Sequence, residues 1–547
     1  MPAADFGRAH ARALAGLVAL ALLLRLPGAL LWWFNADEAI YLQAATADAA
    51  QVGATIANNA HPPLFYWLLR ALATLSESAF VLRLPALVCG VALVPAVACL
   101  ARRWFGARAG LWAAAWVAVG TSSVLLSQVM RPYAALALAL TIAVLGLVDW
   151  LDRGRARGLV VHALGLVAAV GLHYSAFLVA GACMAGTALL AARHRAPLRT
   201  WLALAAAWTA PAAAMVALYA GHIAPSLRGS ALEAQAQEGW LARHYVSTPF
   251  TAAKQLLYSF ELVLGWAGPA LPLLLVLAGR LARRRGRDEA WLLPTLLLPT
   301  AVAASWLSLY PLGGSRHSYH LVPLLTALAA GSTPAIEALS DPRWRRAGRA
   351  LMWTALASSL ACTASLVLRN RPLVLPREHF VRRSDARDLD TALRGRIDAR
   401  AVLLADFQAI NLLMPLLGPA GGWFRSRAGG PLADIELGDR ALWVLDTAPG
   451  EPIDVAWTIA WRPDDAGEAH LSEQVRALLD DPELAGRADS HGLWFVLSGA
   501  ATEDLERVGV GSPQSPFSEL AGGASLGALR LDPAHYLDWI AAGQASR

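Results

Sequence analysis

Long apolar stretches recur through the first 370 residues of this chain and constrain its fold more than any other feature. A helix of about 17–25 apolar residues can cross a bilayer. Of the 547 residues, 56% are hydrophobic and 16% are charged, which is typical of a polytopic membrane protein. We predict about eleven spans, near residues 11–33, 80–101, 109–126, 133–151, 159–172, 174–192, 200–221, 256–280, 290–309, 319–340 and 350–368.

Charge divides the chain into two parts. Residues 1–370 have a net charge of +15 and residues 371–547 a net charge of −9. A basic apolar part followed by an acidic mixed part predicts a membrane domain over 1–370 and a soluble domain over 371–547. The arginines lie in short connections rather than on one exposed stripe, which argues against a nucleic-acid partner.

The arginines also predict orientation. Alternate connections between spans are rich in arginine, and the positive-inside rule places them in the cytoplasm. With the N-terminus inside and an odd number of spans, the C-terminal part lies outside. The arginine-rich connections are residues 102–108, 153–157, 193–199, 283–287 and 343–349.

The outer side holds the long first loop, residues 34–79, in which Tyr41–Val52 and Leu64–Leu75 have the spacing of interfacial helices. In the C-terminal part, runs at residues 401–406, 441–445 and 493–497 predict strands between helical patterns. The predicted fold class is therefore a mainly α polytopic membrane protein with a small C-terminal α/β domain.

Two adjacent carboxylates follow the first span, at Asp37 and Glu38. Ionisable groups near bilayer depth are costly and usually face a cavity or a substrate path. Further polar and aromatic groups fall in other connections on the same side, so carboxylate, guanidinium, imidazole and phenol groups meet at one membrane face. These connections contain His61-Pro62-Pro63, Ser127-Gln128, Arg131-Pro132-Tyr133, His173-Tyr174 and Arg316-His317-Ser318-Tyr319.

In this order, the motifs resemble those of the GT-C glycosyltransferases, in particular family 39 and the protein O-mannosyltransferase-like branch that includes aminoarabinose transferase. The resemblance covers residues 1 to about 370, and the C-terminal domain matches only in position. The matching pieces are Asp37-Glu38-Ala39 with Tyr41, His61-Pro62-Pro63-Leu64, Arg83-Leu84-Pro85, Ser127-Gln128, Arg131-Pro132-Tyr133, His173-Tyr174 and Arg316-His317-Ser318-Tyr319.

The resemblance implies a GT-C fold and an inverting sugar transfer at the periplasmic face of the inner, or plasma, membrane. The donor is then a polyprenyl-phosphate-linked sugar, and the acceptor a glycan, lipid or protein. Family members use the first-loop aspartate, here Asp37, as the base that deprotonates the acceptor. Glu38 then orients Asp37, binds the acceptor or helps it hold a divalent metal ion. The connection at Gln128 and Arg131 lacks the acid that some branches have, which argues against a two-acid metal scheme.

Substrate binding falls to the remaining polar groups of these motifs. Guanidinium groups bind phosphate bidentately, which favours Arg131 and Arg316 as ligands of the lipid phosphate. The other candidates, for sugar hydroxyls or the phosphate, are Tyr41, His61, Gln128, Tyr133, His173, Tyr174, His317 and Tyr319.

Structural alternatives stand beside these assignments. Asp37 and Glu38 can be solvated acids at a helix end, His61 can belong to a stiff Pro-Pro turn, and His173 can be a packing residue. Long basic side chains near span ends often snorkel to the lipid headgroups, which applies to Arg131 and Arg316 and is the leading explanation for Arg25 and Arg83.

Two other functions fit a chain of this kind. A transporter or flippase of a lipid-linked glycan places polar groups near the bilayer midplane, within repeated halves. Here the polar groups gather at one face and no repeat is evident. A membrane-anchored binding module would place recognition in the C-terminal domain.

Overall fold

The computed structural model describes residues 3–35, 61–76, 78–224 and 244–369, together with single positions at 38, 41, 42, 44, 45, 56 and 373 and parts of the segment 402–538. Asp37 lies outside the described residues. Contacts divide the chain into two units. The first comprises Met1–Leu30, Gly53–Leu72 and Phe80–Glu378, and the second comprises Leu31–Val52, Ala73–Ala79 and His379–Arg547.

Helices dominate the described part of the chain before residue 370. Short 3-10 or π segments adjoin several of them, at Tyr219–Ile223 (π), Gly265–Ala270 (3-10) and Arg316–Leu321 (3-10). The α-helices are α1 (Ala3–Leu31), α2 (Leu64–Ala73), α3 (Ala79–Phe105), α4 (Ala107–Val119), α5 (Thr121–Leu125), α6 (Tyr133–Arg153), α7 (Ala156–Leu172), α8 (Ala176–Arg193), α9 (Leu198–Leu218), α10 (Pro249–Leu264), α11 (Leu271–Arg284), α12 (Asp288–Trp306), α13 (Val322–Ala330), α14 (Ser332–Glu337) and α15 (Pro342–Arg369).

Within the described residues, seven helices are long and apolar enough to cross a membrane, so the predicted number of eleven is not confirmed. They lie at Gly7–Leu31, Ala79–Phe105, Tyr133–Arg153, Ala176–Arg193, Leu198–Ile223, Pro249–Arg284 and Pro342–Arg369. The other four predicted spans differ for local reasons. Two of these spans are each divided into two helices, one into α4 and α5 and the other into α13 and α14. The third span is the short helix α7, and the fourth is α12, which begins with two acids and contains two prolines. The chain is a multi-pass membrane protein.

A glycine divides the predicted span over residues 109–126. Gly120 has an extended backbone, with φ −68° and ψ 125°, and separates α4 from α5. A Cβ at this position would lie 2.7 Å from the carbonyl oxygen of Trp116, too close for any larger residue. The break leaves the last carbonyls of α4 without helical partners.

Arg25 fills that gap, which corrects the snorkelling interpretation. Its side chain is fully buried, and its guanidinium donates to the carbonyl oxygens of Val117 and Ala118, both at 2.9 Å. Thr363 of α15 donates to the next carbonyl, that of Val119, at 2.7 Å. The arginine therefore replaces the hydrogen bonds that the helix loses at Gly120.

Arg83 has a similar position at the end of α1, and the snorkelling interpretation is wrong for it as well. The side chain is fully buried, and its guanidinium donates to the carbonyl oxygens of Gly28, at 3.5 Å, and Ala29, at 3.3 Å. These carbonyls belong to the last turn of α1, where helical partners are lacking.

We expect Arg25→Met to destabilise the protein by about 3 kcal/mol, because hydrogen bonds to a buried charged donor contribute strongly and two carbonyls would lose theirs. The midpoint of thermal unfolding in one detergent should fall clearly. Arg12→Met on the exposed face of the same helix is the matched control and should leave the midpoint unchanged. Equal midpoints for the two variants would refute the role given to Arg25.

The ends of the helices in the arginine-rich connections form ion pairs in the first unit. Arg103 lies 3.1 Å from Asp149, and Arg108 lies 2.8 Å from Glu337. The Arg108–Glu337 pair is exposed, and exposed ion pairs contribute little to stability. The two ion pairs show instead that the arginine-rich ends of these helices lie together, α3 with α6 and α4 with α14.

Strands appear in the second unit, after residue 400. The main sheet has five strands in the order β4-β1-β5-β7-β6. Strand β1 pairs in parallel with β4 and β5, whereas β7 is antiparallel to β5 and β6. A further helix, α16 (Pro482–His491), precedes β5. The strands are β1 (Val402–Asp406), β2 (Phe424–Arg425), β3 (Ile453–Asp454), β4 (Ala456–Thr458), β5 (Leu493–Ser498), β6 (Phe517–Gly523) and β7 (Leu526–Leu531).

Strands β1 and β5 coincide with the runs predicted at 401–406 and 493–497. The run at 441–445 lies outside the described residues. Helix α2 lies where Leu64–Leu75 was predicted, with Phe65 buried and Trp67 exposed, as expected for a helix in the interface. Of the predicted helix Tyr41–Val52, the described positions are helical and buried.

Candidate active site

Glu38 has a structural partner in the second unit. Its backbone N–H donates to the side-chain oxygen of Asn35 at 2.9 Å, and its carboxylate accepts from the backbone N–H of Asn35 at 3.0 Å. This reciprocal pair has the geometry of a capping box, which starts a helix. Glu38 is fully buried, as is Tyr41 three residues later. Glu38 therefore has a capping role at the start of this helix.

Five aromatic rings meet in the first unit, and we call them the His–Tyr cluster: His61, Tyr133, His173, Tyr310 and His317. The ring centroid of His173 lies 5.0 Å from that of Tyr133, 5.2 Å from that of His61 and 6.2 Å from those of Tyr310 and His317. His173 is therefore the centre of the cluster.

Four members of the cluster lie in connections at the helix ends opposite the arginine-rich connections, and His61 lies before the short helix α2. His61 is followed by two prolines and then by α2, and Tyr133 is the first residue of α6. His173 is the C-cap of α7, where an extended backbone turns the chain towards α8. Tyr310 follows α12, and His317 lies in the 3-10 segment Arg316–Leu321 that leads into α13.

Hydrogen bonds fix the protonation of the central ring. The Nδ1 atom of His173 accepts from the backbone N–H of Ser175 at 3.2 Å, so the neutral ring bears its proton on Nε2. The hydroxyl of Tyr310 donates to the carbonyl oxygen of His317 at 3.2 Å, a hydrogen bond within the connection between α12 and α13. The hydroxyl of Tyr133 is buried and has no hydrogen-bond partner among the described residues, so it is available to a ligand.

The imidazoles of the cluster are neutral at neutral pH. Burial, followed by the nearby Arg316 and His222, lowers the pKa of His61 to about 3. Burial also holds the pKa of His173 and of His317 well below 6.5, with smaller contributions from neighbouring imidazoles and guanidiniums. Neutral imidazoles can both donate and accept hydrogen bonds, which suits them to sugar hydroxyls and phosphate oxygens.

Two guanidiniums lie within electrostatic range of these rings. Arg131 is only 5% exposed, and its charge contributes to the lowered pKa of His173 and of His317. Arg316 is partly exposed, and its charge contributes to the lowered pKa of His61 and of His317. A buried cation beside neutral rings attracts an anion strongly because water screens it poorly. The arrangement can bind a phosphate group and hydrogen-bond the sugar attached to it.

Three other predicted residues have partners elsewhere in the first unit. Gln128 donates to the carbonyl oxygen of Leu24 at 2.9 Å, and Tyr319 donates to the hydroxyl of Ser123 at 3.0 Å. Both belong to the packing around α1 and α5 rather than to the cluster. Tyr174 lies next to His173 and bonds to His222 through its hydroxyl.

Sequence reasoning missed Tyr310, Ser175 and His222. Tyr310 opens the predicted outer loop before Pro311, and a tyrosine at such a boundary is the signal that could have singled it out. His222 stands at the end of a predicted span. Ser175 has no signal in the sequence, because its contact with His173 depends on the turn after α7.

The proposed metal site cannot be completed from the described residues. Among them, no three histidine, cysteine or carboxylate side chains are grouped so as to hold a metal ion. Glu38, one of the two predicted ligands, has its carboxylate in the capping box. Asp37, the other, lies outside the described part of the chain.

Lower pH should destabilise the protein because of the cluster histidines. Between an ordinary histidine pKa of 6.5 and the pKa of about 3 for His61, the unfolded chain binds more protons than the folded one. Stability is therefore lost as pH falls through this window. We expect the midpoint of thermal unfolding to fall between about pH 7 and pH 5, and to fall less for His61→Gln. An equal fall of the unfolding midpoint in the wild type and in His61→Gln would contradict the buried environment of His61.

Comparisons with known proteins concern the family and the fold of the chain. Residues 60–220 match the family model of dolichyl-phosphate-mannose-protein mannosyltransferase. No curated protein matches the chain. The structure of ArnT from Cupriavidus metallidurans in the apo state is similar, with a TM-score of 0.54 and 11% identity over 97% of this chain and 99% of that one.

Two further structures are similar. ArnT from Cupriavidus metallidurans bound to undecaprenyl phosphate has a TM-score of 0.52 and 12% identity, over 94% of this chain and 97% of that one. The archaeal oligosaccharyltransferase AglB from Archaeoglobus fulgidus, in complex with an inhibitory peptide and a dolichol-phosphate, has a TM-score of 0.49 and 11% identity, over 90% of this chain and 70% of that one. The chain thus has the fold of ArnT and matches the mannosyltransferase family over residues 60–220, which confirms its resemblance to the GT-C glycosyltransferases.

Proposed function

We propose that this chain transfers a sugar from a polyprenyl-phosphate donor to an acceptor hydroxyl at the outer, periplasmic face of the plasma membrane. The observation that supports this most is the gathering of three neutral imidazoles and two guanidiniums at the helix ends opposite the arginine-rich connections. A flippase would need its polar groups along a path through the membrane.

The reaction follows from the chemistry of these groups. Asp37 takes the proton of the acceptor hydroxyl, whose oxygen then attacks the anomeric carbon of the sugar. The bond from that carbon to the phosphate oxygen breaks, and the configuration inverts because attack and departure occur on opposite faces. The polyprenyl phosphate leaves with the electron pair, and Arg131 and Arg316 stabilise its charge.

The cluster provides the hydrogen bonds for the donor. The Nε2–H of His173 and the hydroxyl of Tyr133 meet the requirements for binding sugar hydroxyls or phosphate oxygens. Glu38, whose carboxylate is in the capping box with Asn35, acts as a positioning residue rather than as the base. The acceptor is a glycan, a lipid or a protein, and the transferred sugar a hexose or a pentose. The C-terminal domain lies on the same side of the membrane.

A donor panel tests this function. Polyprenyl phosphates bearing a radiolabelled hexose, pentose or aminopentose are added to proteoliposomes with envelope lipids, glycans and proteins as acceptors. We expect one donor to label the acceptor fraction, and protein-free liposomes to give no label. Failure of every donor would overturn the proposal, and accelerated movement of intact donor across the bilayer would support the flippase instead.

A further inference from the structure

His222 stands behind the His–Tyr cluster with both ring nitrogens in use. It lies in the five-residue π-helix Tyr219–Ile223 that ends α9. Its Nδ1 atom is hydrogen-bonded to the hydroxyl of Tyr174, and its Nε2 atom lies 2.5 Å from the carbonyl oxygen of Ile56. Single π turns often occur at functional sites, because they redirect side chains from the regular helix face.

The two partners determine the tautomer of His222. A carbonyl oxygen only accepts hydrogen bonds, so Nε2 must bear the proton that points at Ile56. The Nδ1 atom of the neutral ring is then an acceptor, and the hydroxyl of Tyr174 donates to it. With its proton committed to His222, the hydroxyl of Tyr174 can only accept a hydrogen bond from a third group.

These contacts join two segments that supply the cluster. Ile56 precedes His61 by five residues in the first outer loop, and Tyr174 follows His173 directly. His222 also contributes to the lowered pKa of His61, so the rings of His222 and His61 lie in the same region of the first unit. The centroids of His61 and His173 lie 5.2 Å apart, a spacing that depends on how the loop is held against the turn between α7 and α8.

We propose that His222 is a positioning residue: it holds the segment that contains Ile56 and His61 against the turn between α7 and α8 and thereby sets His61 beside His173. It also orients the hydroxyl of Tyr174 as a hydrogen-bond acceptor, which selects a sugar with a hydroxyl that can donate a hydrogen bond to Tyr174. The second statement rests on the proposed function, whereas the first concerns the structure alone.

The test compares His222→Ala with His222→Gln in lipid nanodiscs. The Gln amide keeps a donor and an acceptor, and Ala keeps neither. Hydrogen exchange is followed in peptides that contain Ile56 and His61, with peptides from α6 as an internal reference. Two lost hydrogen bonds should make exchange in the loop about tenfold faster for the Ala variant, and Gln should restore it to within about threefold of wild type. Exchange in α6 should not change.

Unchanged loop exchange in His222→Ala, or no restoration by Gln, would overturn the proposal. If the Ala variant also loosens α6, Tyr174→Phe decides, because it removes a single hydroxyl. It should raise loop exchange about threefold, while Tyr219→Phe, a change in the same π-helix at a side chain that is 56% exposed, should leave it unchanged. No effect of Tyr174→Phe would refute the link.

Sugar transfer gives the second readout. With the donor identified by the panel, His222→Ala should lower kcat about tenfold and Gln should recover most of it. Equal kcat for Ala and wild type would overturn the positioning role in the reaction. If wild type transfers no sugar while loop exchange behaves as expected, the proposed function fails and the structural role of His222 stands.

Discussion

Asp37→Asn is expected to lower the rate of sugar transfer by about a thousandfold. The amide has the size of the carboxylate but cannot take a proton from the acceptor hydroxyl at neutral pH. Binding of the donor should change little, because in this account Asp37 meets the acceptor and the guanidiniums meet the phosphate. The measurement is the initial rate of label transfer in proteoliposomes, with donor affinity measured separately.

Asp48→Asn is the matched control for this variant. It makes the same chemical change in the same outer loop, eleven residues away and outside the Asp37-Glu38 motif. Its rate should stay within about twofold of wild type. Full activity in Asp37→Asn would rule out Asp37 as the base, and an equal loss in Asp48→Asn would point to general damage of the loop.

Arg131→Gln and Arg316→Gln should each weaken the binding of polyprenyl phosphate at least tenfold. A charge-assisted hydrogen bond to phosphate contributes about 1.5–3 kcal/mol, which corresponds to about 10–150-fold in affinity. The loss should be larger for Arg131, since its side chain is nearly buried and water screens its charge less. The measurement is the Kd of polyprenyl phosphate in nanodiscs at low and high salt.

Arg369→Gln serves as the control for the two arginines. Arg369 is exposed at the end of α15, on the side of the membrane predicted for the cluster, so any general attraction of anionic lipid should be lost equally in all three variants. A Kd that changes no more in Arg131→Gln than in Arg369→Gln would show that Arg131 meets only lipid headgroups. That result would support the snorkelling interpretation for Arg131.

Part of this architecture could be predicted because it depends on local composition. The periodic placement of arginine predicts the side on which each helix begins, and the ion pair between Arg103 and Asp149 joins connections assigned to one side. Strands β1 and β5 coincide with short apolar runs. His61, His173 and His317 were singled out from separate connections, and the structure brings their rings together.

Other features depend on contacts between distant segments and leave no local signal. Gly120 divides a stretch that is apolar throughout, and the break is tolerated because Arg25, 92 or more residues earlier, donates to the freed carbonyls. The same arginine looks like an ordinary snorkelling residue in the sequence. Gln128 and Tyr319 match motif positions, yet they pack against α1 and α5.

Double labelling of the donor separates sugar transfer from movement of the intact donor. The polyprenyl phosphate bears tritium and the sugar bears carbon-14, and both labels are followed in proteoliposomes with the acceptor fraction. We expect carbon-14 to enter the acceptor while an equal molar amount of tritiated polyprenyl phosphate is released, and we expect Asp37→Asn to abolish both. Movement of the two labels together across the bilayer, without separation, would contradict glycosyl transfer.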